Sequence, residues 1–190
     1  MVGAVEPPPF LSGQLLLSMP GIGDDRFDRA VIAMCLHDDG GALGLIVNRP
    51  HVDITLHGLL GQLNIDPGDL PDRPVLDGGP VDRERGFVLH EADYAASGTI
   101  RVGNAWAFTS TLDILQAIAR GDGPKRWLVA LGYAGWGAGQ LEMEMGQHGW
   151  HLAPGDAATV WDTAIDRRWE RAFALTGVSV ANLSAIPGRA

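Results

Sequence analysis

The chain has 190 residues, with 14 basic and 23 acidic side chains and a formal net charge of −9. This length fits one domain, the 46% apolar content excludes a disordered chain, and the single cysteine, Cys35, excludes both a disulfide framework and a Cys-rich zinc module. Phosphate backbones are bound by clusters of Lys and Arg, whereas this chain has an excess of acidic side chains. Direct nucleic-acid binding is therefore disfavoured.

The two ends of the chain predict the boundaries of the domain. Residues 1–10 predict a flexible leader, with three consecutive prolines and no basic residue ahead of Arg26. That pattern is unlike a secretory signal, and no run approaches the ~18 apolar residues of a membrane helix, so a cytoplasmic protein is expected. Residues 181–190 predict a tail after a single domain over 11–180.

The first half of the chain carries the strongest local signals. A short strand is predicted at 14–18, and a charged turn follows at 24–29. Two apolar runs, 30–37 and 42–48, flank Asp38-Asp39-Gly40-Gly41 and predict a β-hairpin. Leucines spaced i, i+3, i+4 and i+7 between 55 and 63 predict an amphipathic helix.

The second half mixes short strands with helices. Strands are predicted at 74–76, 86–90, 99–102, 105–109 and 127–131, and further extended pieces at 150–152 and 158–161. Helices are predicted at about 110–120, 139–145 and 164–176, the last with a capping box of Thr163 and Asp166. Without strict β-α-β alternation, an α+β fold is favoured over a doubly wound parallel sheet.

A glycine-rich segment, 132–139, joins the strand at 127–131 to the next helix. Such a segment can cradle a phosphate, but Tyr133 and Trp136 are bulky and the following Glu142 and Glu144 repel anions. We therefore interpret it as a structural loop in which Trp136 is the candidate for an exposed contact, with Glu142 complementing the helix dipole.

Histidines and one turn offer the remaining candidate chemistry. Cys35 and His37 alternate along a strand, so both could face one side and bind a metal, although packed or exposed polar roles are favoured and no metal or other cofactor is expected. A tight strand connection is favoured at Gly78-Gly79-Pro80 over an anion nest completed by Arg85.

Several motifs together resemble the YqgE/AlgH family of bacterial proteins. They include His37 with the glycines that follow it, Asn48-Arg49-Pro50, Gly78-Gly79-Pro80-Val81, Arg85 to His90, and Gly132 to Trp136 with Gly139 to Glu142. The resemblance covers about residues 11–178. It implies an α+β fold with a branched sheet curled into a pseudo-barrel, and a label of transcriptional regulator. It assigns no catalytic residue.

Two functional hypotheses follow. The first is a non-enzymatic regulator that contacts a protein or small-molecule partner through one shared cleft. The alternative is a hydrolase or transferase with His37 or His90 as general base and Arg85 as anion clamp. The candidate cleft residues are His37, Asn48, Arg49, Gly78, Gly79, Pro80, Arg85, His90, Tyr133, Trp136 and Glu142.

Overall fold

The computed structural model describes residues 10–183, which form ten strands and four α-helices. The strands are β1 (Leu15–Ser18), β2 (Val31–Asp38), β3 (Gly41–Ile46), β4 (Pro50–Thr55), β5 (Pro74–Asp77), β6 (Val81–His90), β7 (Ile100–Val102), β8 (Trp106–Thr109), β9 (Trp127–Gly137) and β10 (Trp150–Ala153). The α-helices are α1 (Leu56–Gln62), α2 (Leu112–Arg120), α3 (Gln140–Gly146) and α4 (Arg168–Leu175).

The strands form one curled and branched sheet. Its main path runs β10-β1-β2-β3-β9-β6-β8-β7, and the β4–β5 pair branches off where β5 lies parallel to β9. All other pairings are antiparallel, and the sheet curls into a half-barrel. The predicted α+β fold is confirmed.

The hairpin predicted around Asp38 to Gly41 is confirmed as β2 and β3. Its register shifts between Met34 and Leu36, which leaves Cys35 as an extra residue in β2. An extra residue of this kind is a β-bulge, and it reverses the side-chain alternation beyond it.

Strand β9 corrects the interpretation of the glycine-rich segment. The strand continues through Gly132 to Gly137 instead of ending at Leu131, because β3 pairs with its second half, from Ala134 to Gly137. The glycines therefore lie within or beside a paired strand. β9 is the branch point of the sheet, with its first half between β5 and β6.

Helices α1 and α2 cover one face of the sheet. The side chain of Thr55 accepts a hydrogen bond from the Gly58 amide and begins α1, whose leucines 56, 59 and 60 are buried. They pack with residues of α2, β6 and β9, including Ile114 and Val129. Each such side chain contributes about 1.5–3 kcal/mol of burial free energy.

The C-terminal region differs from the prediction in two places. The extended piece at 158–161 is instead a π-helical turn, Ala158–Asp162. The Thr163 hydroxyl donates back to the Ala158 carbonyl, so the predicted capping box is not formed, and a 3-10 turn (Ile165–Arg167) leads into α4. Helix α4 packs Trp169 and Phe173 against the inside of the curled sheet.

The predicted ends lie mostly outside the described residues. Residues 1–9 of the predicted leader and 184–190 of the predicted tail are not covered, and the tail's first residues belong to a 3-10 turn, Val180–Asn182. Within residues 10–183, none of the helices has the length and apolarity that a membrane crossing requires.

Candidate functional site

A large cavity forms an open groove between α3 and the loop that follows β1. Its volume is about 890 Å³. We call it the α3 groove, and it is lined by Met19, Pro20, Gly21, Ile22, Asp24, Arg26, Phe27, Pro80, Val81, Gly135, Trp136, Gln140, Glu144, Gln147, His148, Gly149 and Trp150.

Glu144 lies at the centre of a hydrogen-bond cluster in this groove. Its Oε2 accepts the indole N–H of Trp136 at 3.0 Å and that of Trp150 at 2.8 Å. Its Oε1 accepts the side-chain amide of Gln140, one helical turn earlier, at 2.9 Å. The two indoles pack edge to face, with ring centroids 5.9 Å apart. The carboxylate therefore has a fixed position in an aromatic wall.

The expectation that Trp136 is exposed is wrong. Its side chain is 7% exposed and belongs to a buried cluster with Leu141, Trp150 and Ile32. The physical reason is the continuation of β9, which fixes Trp136 opposite Ala42 and beneath α3. The small part of Trp136 that stays exposed lines the groove.

Asn48 and Arg49 hold the outer wall of the α3 groove rather than line it. The Asn48 side chain accepts the Val31 amide at 2.8 Å and donates to the Arg29 carbonyl at 2.7 Å. The Arg49 guanidinium donates to the carbonyls of Arg26 and Asp28. Both residues therefore fix the loop of residues 24–30, which supplies Asp24, Arg26 and Phe27 to the groove.

His37 and Glu142 form a pair on the opposite side of α3. Residues two apart on a helix are separated by about 200° around its axis, so Glu142 turns away from Glu144. Glu142 Oε1 lies 2.8 Å from His37 Nε2. Its own backbone N–H, and then His37, hold the pKa of Glu142 below its usual range.

The neutral tautomer of His37 follows from its second contact. The Leu11 amide donates to Nδ1 at 2.9 Å, so Nε2 carries the proton and donates it to Glu142. The His37 side chain is 3% exposed, and Phe10 packs edge-on against it at 5.4 Å. Both ring nitrogens are thus already bonded within the fold.

The shared metal face expected for Cys35 and His37 is not formed. Because of the bulge, His37 joins the face of Met34, whereas Cys35 packs with Val31 and Ala33. Desolvation raises the pKa of the Cys35 thiol, which keeps it protonated. Within residues 10–183, no three His, Cys, Asp or Glu side chains gather closely enough to hold a metal ion.

His90 belongs to a buried hydrogen-bond chain. Its Nδ1 donates to the Glu91 carbonyl at 2.8 Å, and its Nε2 accepts from the Thr109 hydroxyl at 2.9 Å. Thr109 is in turn bonded to Thr99 at 2.8 Å. The His90 side chain is fully buried, and desolvation lowers the pKa of its imidazole.

The turn Gly78-Gly79-Pro80 is a close crossing of two backbones. The Gly78 amide donates to the Leu131 carbonyl, and the Gly79 amide donates to Asp77 Oδ1 at 3.4 Å, so both N–H groups already have acceptors within the fold. A Cβ at Gly79 would lie 2.1 Å from the Tyr133 carbonyl carbon. The predicted tight connection matches this geometry, and Pro80 reaches the rim of the α3 groove.

Arg85 and Tyr133 both pack against Phe87. The exposed Arg85 guanidinium lies 5.1 Å from the Phe87 ring centroid, and Tyr133 meets the same ring edge to face at 5.8 Å. Tyr133 and Trp136 are three residues apart on β9, so they face opposite sides of the sheet.

The expected single cleft is therefore divided. His37 pairs through β3 with Trp136 at one end of β9, whereas His90 pairs with Trp127 at the other end. These two positions are nine residues apart along β9, a strand length of about 30 Å. Pro80 and Trp136 line the α3 groove, and Asn48 and Arg49 fix the loop that forms its outer wall. The His37–Glu142 pair lies on the side of α3 that faces away from the groove.

Glu144 is the groove residue that sequence reasoning missed. The sequence could have predicted its bond to Gln140, because the two residues are spaced i, i+4 and lie on one face of the helix. Trp136 and Trp150 flank that helix on the two adjoining strands. The contact between Phe27 and Trp150, with ring centroids 5.4 Å apart, depends on the conformation of a loop, and no spacing in the sequence predicts it.

These features define the class of protein. It is an α+β protein built on a curled, branched half-barrel sheet, with an aromatic groove where α3 meets the loop after β1. A family model described as AlgH-like matches residues 15–181. The chain therefore belongs to the AlgH-like family, as the sequence motifs indicated.

Individual relatives agree with this assignment. A UPF0301 protein of Rhizorhabdus wittichii is 54% identical over 186 residues, which cover 98% of this chain and all of the relative. The solution structure of the AlgH protein from Pseudomonas aeruginosa is 37% identical, with a TM-score of 0.76 over 98% of this chain and all of that one. A Corynebacterium diphtheriae protein shares the fold at 18% identity, with a TM-score of 0.70 over 88% of this chain and 87% of its own.

Proposed function

We propose that this protein is a non-enzymatic, cytoplasmic regulatory component that binds a partner through the α3 groove, rather than by catalysis or direct contact with DNA. The observation that carries the proposal is the groove itself, about 890 Å³ in volume with the buried indoles of Trp136 and Trp150 in its wall. Concave sites of this size, with apolar walls and a few oriented polar groups, are typical of ligand and partner binding.

The histidines give the enzymatic alternative little support. A general base must reach the proton that it removes, and both ring nitrogens of His37 and of His90 are already bonded inside the fold. Arg85, the expected anion clamp, stacks on Phe87 instead of meeting either histidine. The net charge of −9 likewise opposes a phosphate backbone.

Site-specific photo-crosslinking in cells tests the proposal. A benzophenone amino acid replaces Gln147, an exposed residue of the groove, and in a matched control it replaces Gln62, an exposed residue at the end of α1. We expect a covalent adduct of defined mass from position 147 and none from position 62. Adducts of equal yield from both positions would contradict the proposal. So would the absence of an adduct at position 147 together with a native mass, for the protein purified from cells, equal to that of the chain alone.

A substrate panel tests the alternative directly. The full chain is assayed on ester and phosphate-ester substrates with and without divalent metal. We expect no turnover that depends on His37 or His90. Turnover that is lost in either His37→Asn or His90→Gln, with the fold intact by near-ultraviolet circular dichroism, would replace the binding function by a catalytic one.

A further inference from the structure

The charge on Glu144 is not balanced within the groove. Its three hydrogen-bond donors, from Trp136, Trp150 and Gln140, are all neutral. Within residues 10–183, no Lys, Arg or His nitrogen lies within 4.0 Å of this carboxylate. The carboxylate therefore keeps a full negative charge without a cationic partner, and a ligand cation that reaches it gains a charge-assisted hydrogen bond.

The other charges of the groove do not fill this role. Arg26 forms a bidentate salt bridge with Asp24, in which Nε lies 2.9 Å from Oδ1 and a terminal guanidinium nitrogen lies 2.7 Å from Oδ2. The Arg26–Asp24 pair is therefore neutral as a unit. His148 lies exposed at the rim, without a hydrogen bond to Glu144. The uncompensated negative charge of the groove is the one that Glu144 carries.

Resting on the proposed function, we infer that the α3 groove takes an arginine side chain from an extended segment of a partner protein. The guanidinium donates to the lone pair that Glu144 Oε1 still has free, and its planar, weakly hydrated cation fits beside an aromatic wall better than the strongly hydrated ammonium of lysine. The groove volume lies near the upper end for compact ligands and leaves room for residues on either side of the arginine. The net charge of −9 draws a cationic segment toward the protein.

Peptide titrations on the full chain test this inference, with intrinsic tryptophan fluorescence as the readout. The probe is acetyl-leucyl-arginyl-leucine amide, and its matched control carries citrulline, which keeps the shape of arginine without the charge. We expect the citrulline peptide to bind at least about tenfold more weakly, because a hydrogen-bonded charge pair is lost. Equal affinities, or no binding of the arginine peptide, would overturn the inference.

Two variants of the protein test whether Glu144 is the residue that discriminates between the arginine and citrulline peptides. Glu144→Gln removes the charge from the groove, and Glu170→Gln removes one from the exposed face of α4. We expect the discrimination between the two peptides to disappear in the first variant and to persist in the second. Because the peptide comparison uses the unaltered protein, it decides the matter even if Glu144→Gln fails to fold.

Two further arms distinguish the source of the arginine. Acetyl-arginine amide alone should bind more weakly than the tripeptide, and equal binding would point to a small guanidinium compound and overturn the partner segment. Self-association that Glu144→Gln abolishes would assign the groove to a second copy of this chain and also overturn it. Failure of the cation effect leaves the photo-crosslink at position 147 unaffected, so the two proposals fail separately.

Discussion

His37 donates its Nε2–H to Glu142 at 2.8 Å and thereby ties the end of β2 to α3 across 105 positions of the chain. The same imidazole accepts the buried Leu11 amide on its other nitrogen. A residue that looked like a general base is therefore a connector between the start of the described chain and the helix that carries Glu144.

The first prediction concerns the Leu11 amide. His37→Ala leaves this buried donor without an acceptor, so the free energy of unfolding should fall by about 1–3 kcal/mol, measured by urea denaturation. In His37→Asn, the side-chain oxygen replaces Nδ1, and we expect a smaller loss together with slower hydrogen exchange at Leu11 than in the alanine variant. Equal losses in both variants would show that the acceptor role is not what stabilises the fold.

The second prediction concerns Trp136. Because this indole is buried, Trp136→Ala should lower the free energy of unfolding by about 3–5 kcal/mol. Trp136→Phe keeps an aromatic ring in the core and removes the second ring of the indole with the N–H bonded to Glu144, so its loss should be smaller than that of the alanine variant. Trp161→Ala, at a half-buried position, is the matched control and should cost less than Trp136→Ala. A fully stable alanine variant would mean that Trp136 is a surface contact.

The sequence predicted most of the elements whose signals are local. The β2–β3 hairpin was marked by its Asp-Gly turn, and α1 by the spacing of its leucines, because both patterns are set by residues close together in the chain. The π-helical turn Ala158–Asp162 was missed, since its apolar residues read equally well as a strand.

The candidate site was less predictable because it depends on long-range pairing. Trp136 became core only because β3 pairs with the second half of β9, and one bulge residue moved His37 away from the face of Cys35. Neither event has a signature in the adjoining sequence. The family motifs named the right segments, while the division of their residues between groove, support and core required the fold.

The third prediction concerns the crossing of Gly79 over Tyr133. Gly79 has φ of 149°, and an added Cβ would lie 2.1 Å from the backbone of Tyr133. Gly79→Ala should therefore destabilise by more than about 4 kcal/mol, enough to reduce the soluble yield and the melting temperature sharply.

Gly61 provides the matched control for that substitution. It lies in α1 with nothing within 4 Å of the position of a Cβ. Gly61→Ala should stabilise the protein by about 0.5–1 kcal/mol, because alanine loses less conformational entropy in a helix. If both alanine variants melt at the same temperature, the close approach at Gly79 is not what that position requires.

The fourth prediction is a pH dependence that arises at His90. Burial lowers the pKa of this imidazole in the folded protein, whereas in the unfolded chain its pKa is about 6.5. Below that pH the unfolded state binds a proton that the folded state does not. The free energy of unfolding should therefore fall as the pH decreases from about 6.5 toward the lower folded pKa.

Urea denaturation between neutral and mildly acidic pH measures this effect. His90→Gln keeps a group that can accept from Thr109 and removes the titration, so its stability should depend less on pH than that of the unaltered chain across the same interval. His151→Gln is the control, since His151 is only partly buried, bonded to Thr176 and stacked on Phe173, and it should retain the dependence due to His90. An unchanged pH dependence in His90→Gln would show that His90 is not the group that links protonation to unfolding.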